Sequence, residues 1–456
     1  MWTAAEIAAA TGGQVEGPPF DVYGVSIDSR DITPGDLFVA LAGERDGHDF
    51  AEGALARGAA AALVTRTIQG PDIRVDDTLR ALERLGEAAR DRAPLCRRAA
   101  VTGSVGKTSV TQAIAAALRL AGPSHNSVKS YNNHLGVPLT LARMPRETRR
   151  AVFEIGMNHA NEITPLSGFV RPHVAVVTVV GPVHVENFPD GEAGVAGAKA
   201  EIFDGLEGGG VAILNADDKW FDLLRAAALA RGAEVRTFGR ASGSTARLID
   251  FDAGEGGATV VAEVHGRALR FPLAQTGAHW GLNALATILA VEALGAPVET
   301  ALEALAVFAP LAGRGAETRL QLPAGVITVI DESYNANPIS MRAALHTLGG
   351  RRARRKIAVL TDMLELGPDS GEVHAALAGP VAEARVDLLF AAGSDMRALF
   401  GAVPAAQRGG WARTASELAP EVVAALQDGD VVMVKGSNGS RASAVVAAIK
   451  AAGEGC

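Results

Sequence analysis

The chain has 456 residues, of which 48% are hydrophobic, 21% charged and only 5% aromatic. The apolar content excludes a disordered chain, and the length suggests about three domains. A net charge of −8 gives no overall basic field, so we expect no nucleic-acid partner and no membrane association. With no charged leader segment and few cysteines, we expect a cytoplasmic protein in which Cys96 and Cys456 are free thiols.

Compositional changes along the chain predict an α/β protein with domains at residues 1–97, 98–311 and 312–456. The first block begins with a helix pattern over 3–10, continues in short strands and turns, and ends in a charged helix over 79–92. It is therefore predicted to be a small α/β domain.

The second block opens on a strand over 99–102, a glycine-rich turn and a helix over 108–120. Further strands are predicted at 151–155, 174–180, 211–214 and 234–238, followed by a β-rich insert over 246–273 and helices over 279–294 and 298–308. The alternation predicts a central domain with a parallel sheet, of the kind found in phosphate-loop ATPases.

The third block alternates strands and helices again and predicts a separate, doubly wound domain resembling a Rossmann fold. Its strands are predicted at 326–330, 356–361, 387–391 and 430–435.

The strongest local motif is the run Thr-Gly-Ser-Val-Gly-Lys-Thr at 102–108, between a predicted strand and a predicted helix. Glycines let the backbone wrap an anion, and the helix N-terminus favours negative charge. Lys107 can reach the phosphates of a nucleotide, and Thr108 can hold Mg²⁺. Val101 stands where the general phosphate-loop pattern has its first glycine, so an ordinary glycine turn is the weaker alternative.

Three further candidates are isolated in the sequence, and each has a plain structural alternative. Glu154 ends a predicted buried strand, where α/β folds place ligands, but it could equally be a solvated loop acid. His184 follows a strand and a turn, and a lone histidine is more often structural than a ligand. Lys199 on a helix is typical of a surface lysine.

Two polar runs follow predicted strands of the third block. The run Asp-Glu-Ser-Tyr-Asn-Ala-Asn-Pro at 331–338 combines an acid, hydroxyls and amides, although helix capping would also explain it. The run Lys-Gly-Ser-Asn-Gly-Ser-Arg at 435–441 suits a carboxylate or a phosphate.

Taken together, these motifs resemble those of the Mur ligase family over essentially the whole chain. Mur ligases share the short loop Thr-Gly-x-x-Gly-Lys-Thr, here at 102–108. The run at 331–338 resembles the Asp-Asp-Ser-Tyr-Asn-Ala-Asn-Pro signature of the members that add D-alanyl-D-alanine. The run at 361–367, with His374 downstream, is similar to the same members.

The resemblance implies an ATP-dependent amide ligase that adds D-alanyl-D-alanine to UDP-N-acetylmuramoyl-tripeptide through an acyl phosphate, in peptidoglycan precursor synthesis. It implies that the first domain binds the UDP-sugar, the second ATP with Mg²⁺, and the third the dipeptide. It also favours a monomer.

The same resemblance assigns roles to single residues. Catalysis would depend on Lys107, Glu154, His184 and Lys199, and Mg²⁺ would be held by Thr108, Glu154, His184 and a carbamylated Lys199. The nucleotide would be bound by Gly103, Ser104, Val105, Gly106, Lys107, Thr108, Ser109, Asn283, Arg314, Asp331 and Tyr334. The other substrates would be bound by Ser29, Arg30, His48, Asp49, Phe50, Asn132, Asn133, Asn335, Lys435, Ser437, Ser440 and Arg441.

Three alternatives stay open at this point. A ligase that adds a diamino acid would carry an Asp-Asn-Pro-Arg motif, which the sequence lacks. A folylpolyglutamate synthase would lack a first domain of the UDP-binding type. A nucleotide-binding regulator would have a broken metal set, whereas Thr108, Glu154, His184 and Lys199 are all present. Trp280 and Val179 both stand where the family usually has asparagine.

Overall fold

The protein is described from a computed structural model that covers residues 1–128, 130–254 and 256–454. Cys456, expected to be a free thiol, lies outside these residues. Cys96 is a free, buried thiol, and burial raises its pKa to about 11. Within the described residues, no helix combines the length and the apolar character needed to cross a bilayer.

The N-terminal part is a small α/β unit. Its strands are β1 (Trp2–Thr3), β2 (Gln14–Glu16), β3 (Asp21–Val22), β4 (Gly24–Ser26), β5 (Asp36–Val39), β6 (Ala61–Val64) and β7 (Asp72–Arg74). Its helices are α1 (Ala4–Thr11), α2 (Ala51–Ala56) and α3 (Thr78–Asp91). The main sheet has the order β2-β7-β6-β5-β4 and is parallel except at β2.

Local sequence explains where its helices begin. Thr3 accepts a hydrogen bond from the backbone of Glu6, while the Glu6 side chain accepts one from the backbone of Thr3, which is a capping box. Asp77 caps α3 through its side chain alone, which accepts from the backbone amides of Leu79 and Arg80. The two helices predicted in this block are therefore present, each shifted by one residue.

The central part is built on a larger sheet. Its strands are β8 (Arg97–Thr102), β9 (Ser124–Asn126), β10 (Arg150–Glu154), β11 (Val174–Val177), β12 (Val211–Asn215), β13 (Glu234–Gly239), β14 (Ala246–Gly254), β15 (Gly257–Val264) and β16 (Arg267–Leu273). Its helices are α4 (Lys107–Leu120), α5 (Gly136–Ala142), α6 (Ile163–Val170), α7 (Glu192–Ala200), α8 (Phe221–Ala230), α9 (His279–Ala293) and α10 (Val298–Val307).

This sheet has the order β16-β15-β14-β13-β12-β11-β8-β10-β9 and is parallel from β9 to β14. Hydrophobic cores cover both of its faces, one under α4 and α9, the other under α6 and α7. This explains why its strands are apolar without alternation. The predicted insert over 246–273 forms β14, β15 and β16, which extend the same sheet in antiparallel fashion.

The strand predicted over 174–180 ends earlier, at Val177. The backbone amide of Thr178 still bonds to Thr102, but the chain then turns across the end of the glycine-rich loop, where Ser104 donates to the carbonyl of Val179. The apolar run therefore continues past the strand because it lies against that loop.

The C-terminal part is a doubly wound α/β unit. Its strands are β17 (Ala316–Leu322), β18 (Gly325–Glu332), β19 (Arg355–Thr361), β20 (Leu388–Ala392), β21 (Arg408–Ala412) and β22 (Asp430–Lys435). Its helices are α11 (Pro338–Gly349), α12 (Ser370–Ala375), α13 (Ala378–Glu383), α14 (Met396–Ala402), α15 (Ala415–Ala425) and α16 (Ser443–Glu454). The order is β17-β18-β22-β19-β20-β21, parallel except at β17.

Candidate active site

A cleft of about 520 Å³ lies between the central sheet and the C-terminal sheet. The carboxyl ends of β8 and β10 border it on one side, and those of β18 and β22 on the other. Many of the candidate residues line it: Ser104, Val105, Gly106, Lys107, Thr108, Ser109, Asn132, Glu154, His184, Asn283, Arg314, Tyr334, Asn335 and Lys435. Residues far apart in sequence therefore converge where parallel sheets usually bind ligands.

The glycine-rich loop needs its glycines. Gly103 and Gly106 have φ angles of +148° and +88°, and a Cβ atom at Gly103 would collide with the hydroxyl of Thr178. The hydroxyl of Ser104 accepts from the backbone amide of Gly181 at 2.9 Å and donates to its carbonyl at 3.0 Å. The loop is thus fixed to the neighbouring strand end before any ligand arrives.

Lys107 is held inside this loop at the first turn of α4. Its Nζ donates to the carbonyl of Gly103 at 2.6 Å. Burial lowers the pKa of Lys107, while the nearby carboxylate of Glu154 opposes that shift. An ammonium group with one backbone partner and little solvent can bind a polyanion strongly.

Glu154 presents an unpaired oxygen to the cleft. The side chain is 1% exposed, and its Oε1 accepts from the amide of Asn132 at 2.7 Å. Its Oε2 is buried and has no hydrogen-bond partner in the described part of the chain. A buried, unpaired carboxylate oxygen is costly unless a cation or an ordered water satisfies it.

The residues around Glu154 fit a hard cation such as Mg²⁺. Thr108 supplies a hydroxyl and His184 a ring nitrogen to the same cleft. Over residues 1–128, 130–254 and 256–454, no three His, Cys, Asp or Glu side chains are grouped closely enough to hold an ion by themselves. A complete shell therefore has to draw on hydroxyl, lysine-derived, substrate or water oxygens.

His184 adopts a left-handed backbone conformation with φ +57°. Burial lowers the pKa of its imidazole, and the carboxylate of Glu365 opposes the shift. A neutral imidazole is the form that can bind a metal ion.

Lys199 is 2% exposed on α7, so the surface location that its sequence suggested is wrong. Burial depresses the pKa of Lys199 well below the ordinary value, and the charge of Lys107 adds to the effect. Lys199 does not line the cleft surface itself. Burial therefore disfavours the ammonium form of Lys199 and favours the neutral, nucleophilic amine.

Arg314 and Tyr334 reach from the C-terminal part toward the phosphate loop. The guanidinium lies 4.1 Å from the centre of the Tyr334 ring, and both side chains donate to Ser130 Oγ, at 3.4 and 3.0 Å. That hydroxyl is also 3.2 Å from Thr108 Oγ1. Ser130 thus connects the two sheets at the phosphate loop.

Asp331 lies behind the cleft, in contrast to Tyr334. Its carboxylate accepts from the backbone and hydroxyl of Ser333 and from the backbone of Gly313. It therefore holds the turn that carries Arg314.

Asn283 lines the cleft close to Gly106, whereas the neighbouring Trp280 is buried against Phe308 and is part of the core.

The candidates at the end of β22 divide in the same way. Lys435 lines the cleft, and its Nζ donates to Glu332 Oε2 at 3.3 Å and to the carbonyl of Asn335 at 3.0 Å. The hydroxyls of Ser437 and Ser440 bond to neighbouring loops, and Arg441 points to solvent. These last three do not line the cleft.

The N-terminal candidates lie outside this cleft. Arg30 pairs with Asp28, and Asp49 with Arg66. The buried ring of His48 accepts from the backbone of Thr65. Ser29 and Phe50 are half-buried, and Asn133 caps the first turn of α5 through the backbone of Gly136.

Several lining residues were missed from the sequence. They are Gly156, Met157, Asn158, Thr178, Val179, Asn215, Phe238, His279, Leu282, Gly313, Ile339, Ser340, Ala343 and Ala344. Asn215 and Phe238 end strands β12 and β13, so their position at the sheet edge was a usable signal. Ile339 and Ala343 offered none, because they reach the cleft only through the docking of α11.

Family models match consecutive segments of the chain: the Mur ligase family catalytic domain at 21–103, the Mur ligase middle domain at 101–291, and the Mur ligase glutamate ligase domain at 318–438. The chain therefore belongs to the Mur ligase family.

Within that family, it is similar to ligases of one kind. The UDP-N-acetylmuramoyl-tripeptide–D-alanyl-D-alanine ligase of Escherichia coli strain K12 is 34% identical, over 98% of both chains. A crystal structure of MurF from Acinetobacter baumannii is 29% identical over 98% of both chains, with a TM-score of 0.86. The MurF ligase of Thermotoga maritima in complex with ADP, 23% identical with a TM-score of 0.79, covers 95% of this chain and 98% of its own and shares the fold.

Proposed function

We propose that this protein is an ATP-dependent ligase that joins UDP-N-acetylmuramoyl-tripeptide to D-alanyl-D-alanine during peptidoglycan precursor synthesis. The observation that carries the proposal is the cleft itself. It brings the phosphate loop and a buried carboxylate with one unpaired oxygen together with cations from the C-terminal part, and a buried lysine with a depressed pKa lies within electrostatic reach of Lys107. The full-length similarity to ligases of this kind supports the choice of substrates.

The reaction forms one amide at the expense of one phosphoanhydride bond. The terminal carboxylate of the tripeptide attacks the γ-phosphorus of ATP, and the bond to ADP breaks. The dipeptide amine then attacks the acyl carbon, phosphate leaves, and the amine nitrogen loses a proton. The difficulty is electrostatic, because a carboxylate has to approach a polyanion.

In the proposed complex, Lys107 and Arg314 would reduce the repulsion between the carboxylate and the nucleotide. Lys107 would exchange its bond with the Gly103 carbonyl for the phosphates, and Arg314 would leave Ser130 to reach them from the opposite side. Both charges would lie where negative charge develops on the phosphoryl oxygens. The cleft, once filled by its substrates, would also keep water away from the acyl phosphate.

Magnesium would be held by Thr108, Glu154, His184 and a carbamylated Lys199. When bound, it would neutralise phosphate charge and orient the reacting groups. The depressed pKa of Lys199 favours formation of the carbamate, because only a neutral amine adds to carbon dioxide. A nitrogen–carbon bond forms, a proton is released, and the lysine gains the carboxylate that the unfinished oxygen shell requires.

The remaining assignments belong to the same proposal. Residues 1–97 would bind the UDP-sugar, 98–311 ATP, and 312–456 the dipeptide, with Lys435 and Asn335 closest to the cleft. The more remote candidates would have to act through substrate that extends beyond it. A monomer, a cytoplasmic location and the absence of nucleic-acid partners stay predictions.

The deciding experiment measures phosphate release from ATP with UDP-tripeptide and D-alanyl-D-alanine, each present or omitted. We expect release only with both, together with the amide product in a mass spectrum, and a loss of at least about 100-fold in Lys107→Ala. Lys219→Ala, at an exposed lysine outside the cleft, is the matched control. Release with a diamino acid in place of the dipeptide, or near-normal turnover in Lys107→Ala, would refute the assignment.

A further inference from the structure

A loop of the C-terminal part meets His184 across the cleft. Oε2 of Glu365, which follows β19, lies against Nδ1 of His184, which follows β11. This nitrogen is shielded from solvent and has no hydrogen bond of normal geometry in the described part of the chain, and the carboxylate of Glu365 is the ion-pairing group that lies against it. The carboxylate of one sheet's loop is therefore the partner of an imidazole on the other.

The backbone at this contact is unusual on both sides. His184 and Glu365 have φ angles of +57° and +63°, in the left-handed region that side-chain-bearing residues seldom adopt. Such a residue is strained and persists only where the surroundings fix it. Gly367, at φ +75°, lies in the same loop, and a Cβ atom added there would be 3.8 Å from the Cβ of Glu186. The two turns are thus shaped to face each other.

The loop that carries Glu365 is also fixed from behind. Each of the three preceding residues is tied by a hydrogen bond to a separate segment. These bonds run from Met396 N to Asp362 Oδ1 at 2.8 Å, from Met363 N to His374 Nε2 at 2.9 Å, and from Leu364 N to Ser437 Oγ at 3.0 Å. The motif at 361–367, with His374 and Ser437, therefore acts as a rigid support for one exposed carboxylate.

We propose that Glu365 is a positioning residue for His184, whose carboxylate keeps the ring proton on Nδ1 and leaves Nε2 free for magnesium. The inference rests on the proposed function, because only there is His184 a metal ligand. A carboxylate that orients a metal-binding histidine in this way is a general arrangement in metalloproteins. Here the carboxylate belongs to the other sheet, so the ligand is fully oriented only while the two parts are in contact.

The first test reads the tautomer of His184 directly in the metal-free, full-length chain. Two-bond ¹⁵N–¹H spectra of ¹⁵N-histidine-labelled protein distinguish the two tautomers, and the variant H184Q identifies the signals. We expect the Nδ1–H form in the wild type and in E365Q, whose amide oxygen still accepts a hydrogen bond. E365A should shift toward the mixture of an unpaired imidazole, and E372A, at an exposed glutamate on α12, should not.

The second test measures Mg²⁺ binding by calorimetry in the presence of a non-hydrolysable ATP analogue. We expect the dissociation constant to rise about 10-fold or more in E365A and to stay unchanged in E372A. An E365A variant with the wild-type tautomer and wild-type Mg²⁺ affinity would overturn the inference. A wild-type chain that forms no amide would instead overturn the proposed function, and the histidine spectra, which need no turnover, separate the two results.

Discussion

The central sheet meets its two neighbours through interfaces of opposite character. Toward the N-terminal part, Leu139 and Ala142 of α5 belong to the same hydrophobic core as Leu82 and Leu85 of α3. The indole of Trp2 also donates to the carbonyl of Ala142 at 3.0 Å. Separating these parts would expose apolar surface to water, which costs about 25 cal/mol of free energy for each Å² exposed.

Toward the C-terminal part, the contacts are mainly polar. Arg314 and Tyr334 bond to Ser130, Glu365 touches His184, and Arg351 donates to Thr276 at 2.6 Å. Such groups exchange protein partners for water at a net cost of about 1 kcal/mol each. The comparison indicates a fixed unit of N-terminal and central parts, and a C-terminal part whose contacts can be traded for those of a ligand.

The apolar interface should give the largest effect on stability. Leu139→Ala removes a fully buried side chain and should lower the free energy of unfolding by about 2–5 kcal/mol. Calorimetric unfolding of the full chain measures this loss. Leu229→Ala, at a half-exposed leucine of α8, is the matched control and should change stability by about 0.5 kcal/mol or less. Equal losses in the two variants would contradict the comparison.

The polar interface should respond in binding and not in stability. Arg314→Ala removes a charged group that can pair with phosphate, worth about 1.5–3 kcal/mol, so the KM for ATP should rise about 10- to 100-fold. The unfolding temperature should change by less than in Leu139→Ala. Steady-state kinetics with varied ATP provide the measurement, and Arg319→Ala, on the exposed face of β17, is the control. An unchanged KM would place the guanidinium outside the nucleotide site.

The same contrast explains which features could be predicted from the sequence. The phosphate loop was predictable because its glycines, lysine and threonine are contiguous and lie between a strand and a helix. Glu154 was a candidate because it ends a strand. The burial of Lys199 was not predictable, because the alanines and glycines around it on α7 leave no helical pattern that distinguishes an inner face.

Contacts between segments that are distant in the sequence could not be predicted either. Asp331 looked like a ligand within its motif, but its carboxylate is used by the turn at Gly313, which lies 18 residues away. The loop that carries Glu365 is supported by the hydrogen bond from the backbone amide of Leu364 to Ser437 Oγ. That bond joins residues 73 positions apart. Nothing in the local sequence indicates such a pairing, because it depends on how the C-terminal helices and strands pack.

The smallest expected effect is a pH dependence that originates beside the apolar interface. Burial lowers the pKa of His125 to about 4, from an ordinary value of 6.5, while its Nε2 bonds to the carbonyl of Thr140 on α5. The unfolded chain therefore binds a proton more readily than the folded chain between these two pH values. Stability consequently rises with pH across this window and falls as the pH is lowered from 6.5 to 4.

Because the ring is not fully shielded from solvent, this effect should be on the order of 1 kcal/mol. Unfolding free energies of the wild type and of His125→Gln, measured between pH 4 and 8, would isolate it as a difference in slope. His346→Gln, at an exposed histidine of α11, should leave the slope unchanged. Identical slopes for wild type and His125→Gln would show that the region next to α5 is hydrated, and the interface would then be less apolar than the comparison requires.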